Sequence, residues 1–454
     1  MGHKHTIDLS TENRSLGGLS GQLIGFGVVL VIIGLVGTLL MGNLEGAFDH
    51  DGANHHAGDG HAAGAADADK HGKDEHGGDS HGGHSEGHHE VHGYVSKWSP
   101  WHPYLVAATW LLAICLGAIF FVLIHHVTMA AWSTVVRRLA EAVSRNFILM
   151  ALLFAPLFLP SQMDKLYKWI HPDPGDTLIE IKEAYLNYDF FLIRMVIYFA
   201  IWIGLSWWYH KNSVQQDHDG DLKRTRRMAH FSPMGLILFA LSITFAAYDL
   251  LMSLDAHWFS TIFGIYLFGG CVLSFHAFLA LVVIWLQANG RLTRAVSDEH
   301  MQDIGKMMFA FTVFWAYIAF SQYMLYWYAN IPEETAWFLR RQENFLWGSW
   351  GWLLIVGRFF VPFLFIMSKH IKRNRATLAL AAIWMLIMQW ADMYYLVMPQ
   401  IDSGKEFPFT MLDVTIPIGF LGLFLIGLAV SLKGHSLIAE KDPRMPESLA
   451  FENA

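Results

Sequence analysis

The sequence is poor in cysteine. Its 454 residues include two, Cys115 and Cys271, both within apolar runs. That argues against a disulfide framework and against an iron–sulfur cluster held by this chain. Charge is scarce as well: Asp, Glu, Lys and Arg make up 15% of the residues, against about 25% in a soluble domain. Also missing are a phosphate-binding loop, a dinucleotide fingerprint, a haem-attachment motif and a metalloprotease motif. A self-contained enzyme is therefore not indicated, and any electrons must arrive through another subunit. The net charge of −8 comes largely from loops and identifies no partner. The basic run from Lys223 to Arg227 reads as a topology signal, not a nucleic-acid site. The first apolar run has no small-residue cleavage site after it, so no signal peptide is expected.

What is abundant is apolar sequence. Hydrophobic residues reach 54% and gather into runs of about 20, the length that crosses a bilayer. Ten spans are expected, near 20–41, 104–126, 146–160, 189–208, 233–253, 259–287, 306–328, 347–367, 377–397 and 414–432. The third begins earlier if the amphipathic segment after Trp132 belongs to it. No dyad alternation suggests tilted strands, so helices are favoured over a barrel.

A short repeat suggests internal duplication. Arg138–Ser144 reads RLAEAVS after the second span, and Arg291–Ser297 reads RLTRAVS after the sixth. Spans five and nine then carry Asp249 and Asp392 toward corresponding ends. The expected fold class is an all-α integral membrane protein of ten transmembrane helices. Two similar four-helix bundles, spans 2–5 and 6–9, would be flanked by spans 1 and 10. By residue the expected parts are 1–44, the N-terminal tail and first span; 45–93, a His-rich outer loop; 94–253 and 254–400, the two bundles; and 401–454, the last span and tail.

Lys and Arg are more than twice as frequent in one set of alternating connecting segments as in the other. By the positive-inside rule both termini are expected to be cytoplasmic, and the join at Ser253–Trp258 to face outward. Trp and Tyr gather near the outer span ends, which fits interfacial anchoring. Between His50 and His92 lie eleven histidines among Gly, Asp and Ala. That composition builds no core. Its functional reading is loose binding of copper, zinc or nickel by residues such as His81, His84, His88 and His89. Its plainer reading is a flexible, pH-sensitive spacer, because no ligand spacing repeats.

The informative residues are ionisable groups within apolar runs, where charge is costly. The densest stretch is Phe245–Gly270, which joins two runs through Asp249, Asp255 and His257. Arg358 falls about eleven residues into span eight, near mid-membrane by helix rise, and needs a carboxylate, carbonyls or water around it. Arg194, Gln322, Asp249 and Asp392 fall in the outer third by the same counting. Two readings stay open. These groups converge on an outer pocket able to take a quinol headgroup and its protons, or they are separate, singly satisfied helix contacts. His126 and His276 lie in the inner half. As haem axial ligands they are disfavoured, since no span carries the usual two spaced histidines. A core or proton-relay role fits them better. Catalytic, cofactor and metal ligands are assigned to none of these residues.

The ten-span plan, the AAYDLLMSLDAHWFSTIFGIYLFGG segment and VTMAAWSTVVRRLAEA at Val127–Ala142 resemble the F-subunit family of bacterial alternative complex III. That family lies within the wider NrfD or polysulfide-reductase membrane-subunit group. The resemblance covers nearly the whole chain outside residues 45–93. It implies a subunit of a quinol-oxidising complex in the bacterial inner membrane that passes electrons to cytochrome c or to a terminal oxidase. The chain itself would carry no cofactor, and haem c and iron–sulfur clusters would reside in partners. Those partners would be a homologous ten-span subunit, a multihaem cytochrome c and an iron–sulfur subunit, with lipid and quinol. The resemblance places the main quinol site in the homologous subunit and leaves this chain a structural and proton-conducting role. Two other readings are a metal- or proton-coupled secondary transporter and a purely structural scaffold.

Overall fold

The structure is a computed structural model that describes residues 9, 12–52, 96–342, 345–402 and 408–453. Among the described residues, ten helices are long and apolar enough to cross a membrane. They are α1 (Leu19–Gly52), α2 (Trp101–Val127), α3 (Thr134–Phe158), α4 (Tyr188–Asp219), α5 (Leu222–Leu254), α6 (Phe263–Ala288), α7 (Asp298–Ala329), α8 (Phe345–Ile366), α9 (Arg375–Gln400) and α10 (Leu412–Leu432). The chain is an all-α, multi-pass membrane protein. A parallel pairing of Ser96–Lys97 with Ile401–Asp402 is two residues long and forms no sheet layer.

Hydropathy located all ten helices. The differences lie at the ends, where charged residues extend a helix past its apolar stretch. Thus α3 begins at Thr134, inside the amphipathic segment, and α4 runs on to Asp219. Helix α1 continues to Gly52, into the low-complexity segment. His81, His84, His88 and His89 lie outside the described residues.

Helices α2 and α6 form the centre, packed against each other. Each is apolar on every side, and such a helix belongs in the interior. Their approach depends on a small residue: a Cβ on Gly117 would sit 2.2 Å from the Cys271 carbonyl oxygen. Around this axis α2 also touches α3 and α5, α4 packs on α5, and α6 contacts α7 and α9. Helix α1 leans almost wholly on α10. Gly34 and Gly419 meet there, where a Cβ on Gly34 would lie 2.5 Å from the Gly419 Cα. In lipid, where apolar helices gain little from mutual burial, close backbone approach of this kind holds a pair together.

One end of the bundle carries the α5–α6 joint; the opposite end carries both chain tails. At the tail end, Leu437 N donates to the Arg14 carbonyl over 2.7 Å, and Ser15 bridges Ser436.

Candidate functional site

Two buried arginine–aspartate pairs lie within the helices, and they differ in how completely they are satisfied. The first joins α4 to α5. Arg194 Nε and Nη2 donate to the two oxygens of Asp249, both over 2.8 Å. Tyr198 donates to Asp249 Oδ2 over 2.8 Å, and Arg194 Nη1 donates to the Tyr185 carbonyl. The Tyr185 ring covers the guanidinium at 3.8 Å. Burial, with the Asp249 charge next in weight, pushes the Tyr185 phenol up to about 12. This is a two-pronged, charge-assisted pair with its geometry fixed on every side.

The second pair joins α8 to α9. Arg358 Nη1 lies 3.2 Å from Asp392 Oδ2 and donates to the Met388 carbonyl. Arg358 Nη2 donates to Gln389 Oε1 over 2.6 Å. From α6, Tyr266 donates to Asp392 Oδ1. The Trp315 ring of α7 faces the guanidinium at 4.2 Å. Four helices therefore meet at this pair. Yet Arg358 Nε, Gln389 Nε2 and Asp392 Oδ2 are buried without a hydrogen-bond partner among the described residues. Arg358 sits in a π-helical turn, Leu354–Phe360. Such a turn inserts an extra residue and redirects the side chains it carries. Trp384 Nε1 donates to the Gly357 carbonyl in that turn over 2.6 Å.

The remaining acids and bases of the α5–α6 joint have partners of their own. Asp255 is 3.2 Å from Arg340, which also donates to Gln400. His257 Nε2 is 2.9 Å from Asp176, the residue capping the short helix Thr177–Lys182. Gln322 accepts from Ser260 over 2.9 Å. The neighbouring Arg341 is fully buried, and its pKa is pulled down to about 9 by burial. Its guanidinium donates to the Tyr395 and Leu396 carbonyls at the end of α9, the helix terminus that favours a cation.

Asp249, His257 and Asp392 thus each have a partner of their own. Asp249 is taken up by Arg194, Asp392 by Arg358 and Tyr266, and His257 by the Asp176 carboxylate, so each has an oppositely charged neighbour on a different helix or loop. A narrow pocket between α2, α4, α5 and α6 is lined by Thr109, Leu116, Trp202, Leu250, Leu267 and Cys271. Its hydroxyl, Thr109, is spent on the Leu105 carbonyl, so no acid or base faces a headgroup there.

No family model matches the chain, and no curated protein matches it. No group of three or more His, Cys, Asp or Glu able to hold a metal occurs among the described residues. His126 lies against Tyr209, with ring centroids 5.4 Å apart. His276 lies against Phe121 and Phe275, and its Nδ1 meets the Val272 carbonyl. The two imidazoles have different ring neighbours.

The tail end holds an ionic network that sequence reasoning missed. Arg137 and Arg138 belong to the segments richer in Lys and Arg, and both are buried. Arg137 donates to Asp442. Arg138 lies 3.2 Å from Glu141 and 2.8 Å from Asp217. Arg444 closes on Asp442 through Nε and Nη2, at 3.1 and 3.0 Å. Burial alone would raise the Asp442 carboxyl, but Arg137 and Arg444 hold it well below the usual carboxylate range. Only a three-dimensional contact reveals the partner, since Arg137 and Asp442 are 305 residues apart.

Proposed function

We propose that the chain is a cofactor-free membrane subunit of a quinol-oxidising electron-transfer complex, and that it carries protons through the membrane. The complex would take two electrons and two protons from each quinol. Iron–sulfur clusters and haem c in partner subunits would pass the electrons on. The partners would be a homologous ten-span subunit, a multihaem cytochrome c, an iron–sulfur subunit and, downstream, a terminal oxidase. The tail end would face the bacterial cytoplasm. The exposed Lys223, Arg226, Arg227, Lys369 and Lys433 at that end support the orientation.

The observation that carries the proton role is the incomplete satisfaction of the Arg358–Asp392 pair. A buried carboxylate with one oxygen held by a tyrosine and the other, 3.2 Å from Arg358 Nη1, without a hydrogen bond among the described residues has a place to receive a proton. Arg358 supplies the charge that changes its grip as Asp392 gains or loses that proton. Gln389, with an unbonded amide nitrogen, offers the next donor. The Arg194–Asp249 fork favours a different role at its own place: a fully satisfied pair is a brace, and a chain made only of such pairs would be a scaffold.

Asp392→Asn tests the proposal in the native membrane complex. The substitution keeps shape and removes the titrating oxygen. Assembly is expected to survive, while proton transfer coupled to quinol oxidation falls. Unchanged proton release and uptake in that variant leaves the scaffold reading.

A further inference from the structure

Residues 433–453 follow α10 and lie across the tail end of the bundle. Hydrogen bonds fasten the segment along its length. Lys441 Nζ donates to the His218 carbonyl over 2.7 Å at the end of α4. Ser448 Oγ donates to the Trp132 carbonyl over 2.9 Å, just before α3. Asn453 Nδ2 donates to the Glu299 carbonyl over 3.1 Å at the start of α7. The short helix Met445–Leu449 packs on α3. At the middle is Asp442, buried between Arg137 and Arg444.

Beneath this segment lies the end of α2, with His125 and His126, both buried. Among the described residues neither ring nitrogen of His126 has a hydrogen-bond partner, and the ring lies within electrostatic reach of Arg137, Arg444 and Asp442. Trp132, held by Ser448, packs edge-on against His125 at 5.2 Å. His125 stacks near Phe121 at 4.0 Å, and Phe121 contacts His276 at 5.5 Å. Through Trp132 the segment therefore closes over His125, the neighbour of His126 and the first ring of a line that runs by Phe121 to His276.

Closing has an opposing effect. Arg137 Nη1, Arg444 Nη1, Thr134 Oγ1 and both His126 nitrogens are buried without hydrogen bonds among the described residues. Buried polar atoms in that condition disfavour the state that buries them. Lifting the segment would hydrate this polar surface, while the ion pairs at Asp442 resist. Opposed contributions at one place are what a two-state element requires.

We propose that residues 433–453 form a strap that shuts the tail-end approach to His126, with Asp442 as its latch. Open, the strap admits water and protons to His126; closed, it excludes them. The proposal rests on the proton-conducting reading above, but access to His126 can be measured without it. Full-length protein in liposomes would be treated with diethyl pyrocarbonate, with His126 carbethoxylation read by mass spectrometry. Trypsin cleavage after Lys441 would report strap release in parallel. Asp442→Asn is expected to raise both rates about tenfold or more, since it leaves two buried guanidinium groups facing a neutral side chain. Ser448→Ala, a milder loosening, is expected to raise both to a lesser degree and covers the case in which Asp442→Asn does not fold. The proposal is overturned if either folded variant is cleaved faster while His126 labelling stays at the wild-type rate, or if neither rate changes. Proton flux measured in the same liposomes separates the two claims. Loss of His126 gating with Asp392-dependent flux intact refutes only the strap. Flux indifferent to Asp392→Asn, with His126 labelling still governed by Asp442, refutes only the conduction.

Discussion

Asp249 and Asp392 have the same side chain, and each has an arginine and a tyrosine beside it, yet their settings diverge. Asp249 receives two guanidinium hydrogen bonds and a phenol. Asp392 receives a phenol and a guanidinium that is close but not aligned to both oxygens. The two aspartates should therefore fail differently. Removing the Asp249 charge strands Arg194 in a buried site, which costs about 3–5 kcal/mol for a pair of this kind. Asp249→Asn is expected to lower the detergent-solubilised unfolding temperature clearly. Replacing both partners by apolar residues of similar size, Arg194→Met with Asp249→Leu, should recover much of that loss, because no buried charge then remains unpaired. Thermal unfolding of the single and double variants checks both statements. Sequence alone ranked Asp249 with Asp392 because both are acids at similar depth. It could not weigh them apart, since the difference lies in hydrogen-bond alignment across helices.

Among the elements, α8 owes its role to an irregularity. The π-helical turn Leu354–Phe360 aims Arg358 toward α9. Removing one residue from it, for example Ile355, would restore regular α-helical winding. Residues on one side of the cut would then rotate by about 100° relative to the other. The shortened chain is expected to insert in the membrane but to lose the Arg358–Asp392 pair. Its proton transfer should then match Asp392→Asn while the lipid-facing helices stay in place. Proton flux together with limited proteolysis distinguishes this from general misfolding. Hydropathy marked α8 as a span without hinting at the turn, because nothing in its apolar composition distinguishes a π turn from an α turn. The glycines of α1 and α10 were equally silent: Gly34 and Gly419 lie in different spans, and only their meeting gives them meaning.

Taken whole, the molecule was legible where the solvent dictates structure. Oil demands long apolar helices, and all ten were apparent from composition alone. Charges at the tail end were less legible. Their sign can be counted, but Arg137 and Arg138 turn inward to Asp442 and Asp217, acids far away in sequence that only folding brings close. This network has a pH signature. The Asp442 carboxyl is held below its ordinary value by Arg137 and Arg444 against the effect of burial. A depressed acid adds stability that is complete above its unfolded pKa, about 3.9, and drains away as pH falls through the lower folded value. Tryptic cleavage at Lys441 is thus expected to stay slow and flat through the neutral range. Below about pH 4 the tail should loosen, with pepsin replacing trypsin as the probe. Because the pair is buried, added salt should change the neutral-pH rate little.

The division of labour between the two aspartates is most directly tested by infrared difference spectroscopy on the purified protein in lipid, stepped between acidic and alkaline pH. A protonated-carboxyl band is expected to titrate in the wild type, to persist in a folded Asp249→Asn variant, and to vanish in Asp392→Asn. A band that survives Asp392→Asn unchanged, or that disappears with Asp249→Asn instead, would contradict the assignment of Asp392 as the proton-carrying group.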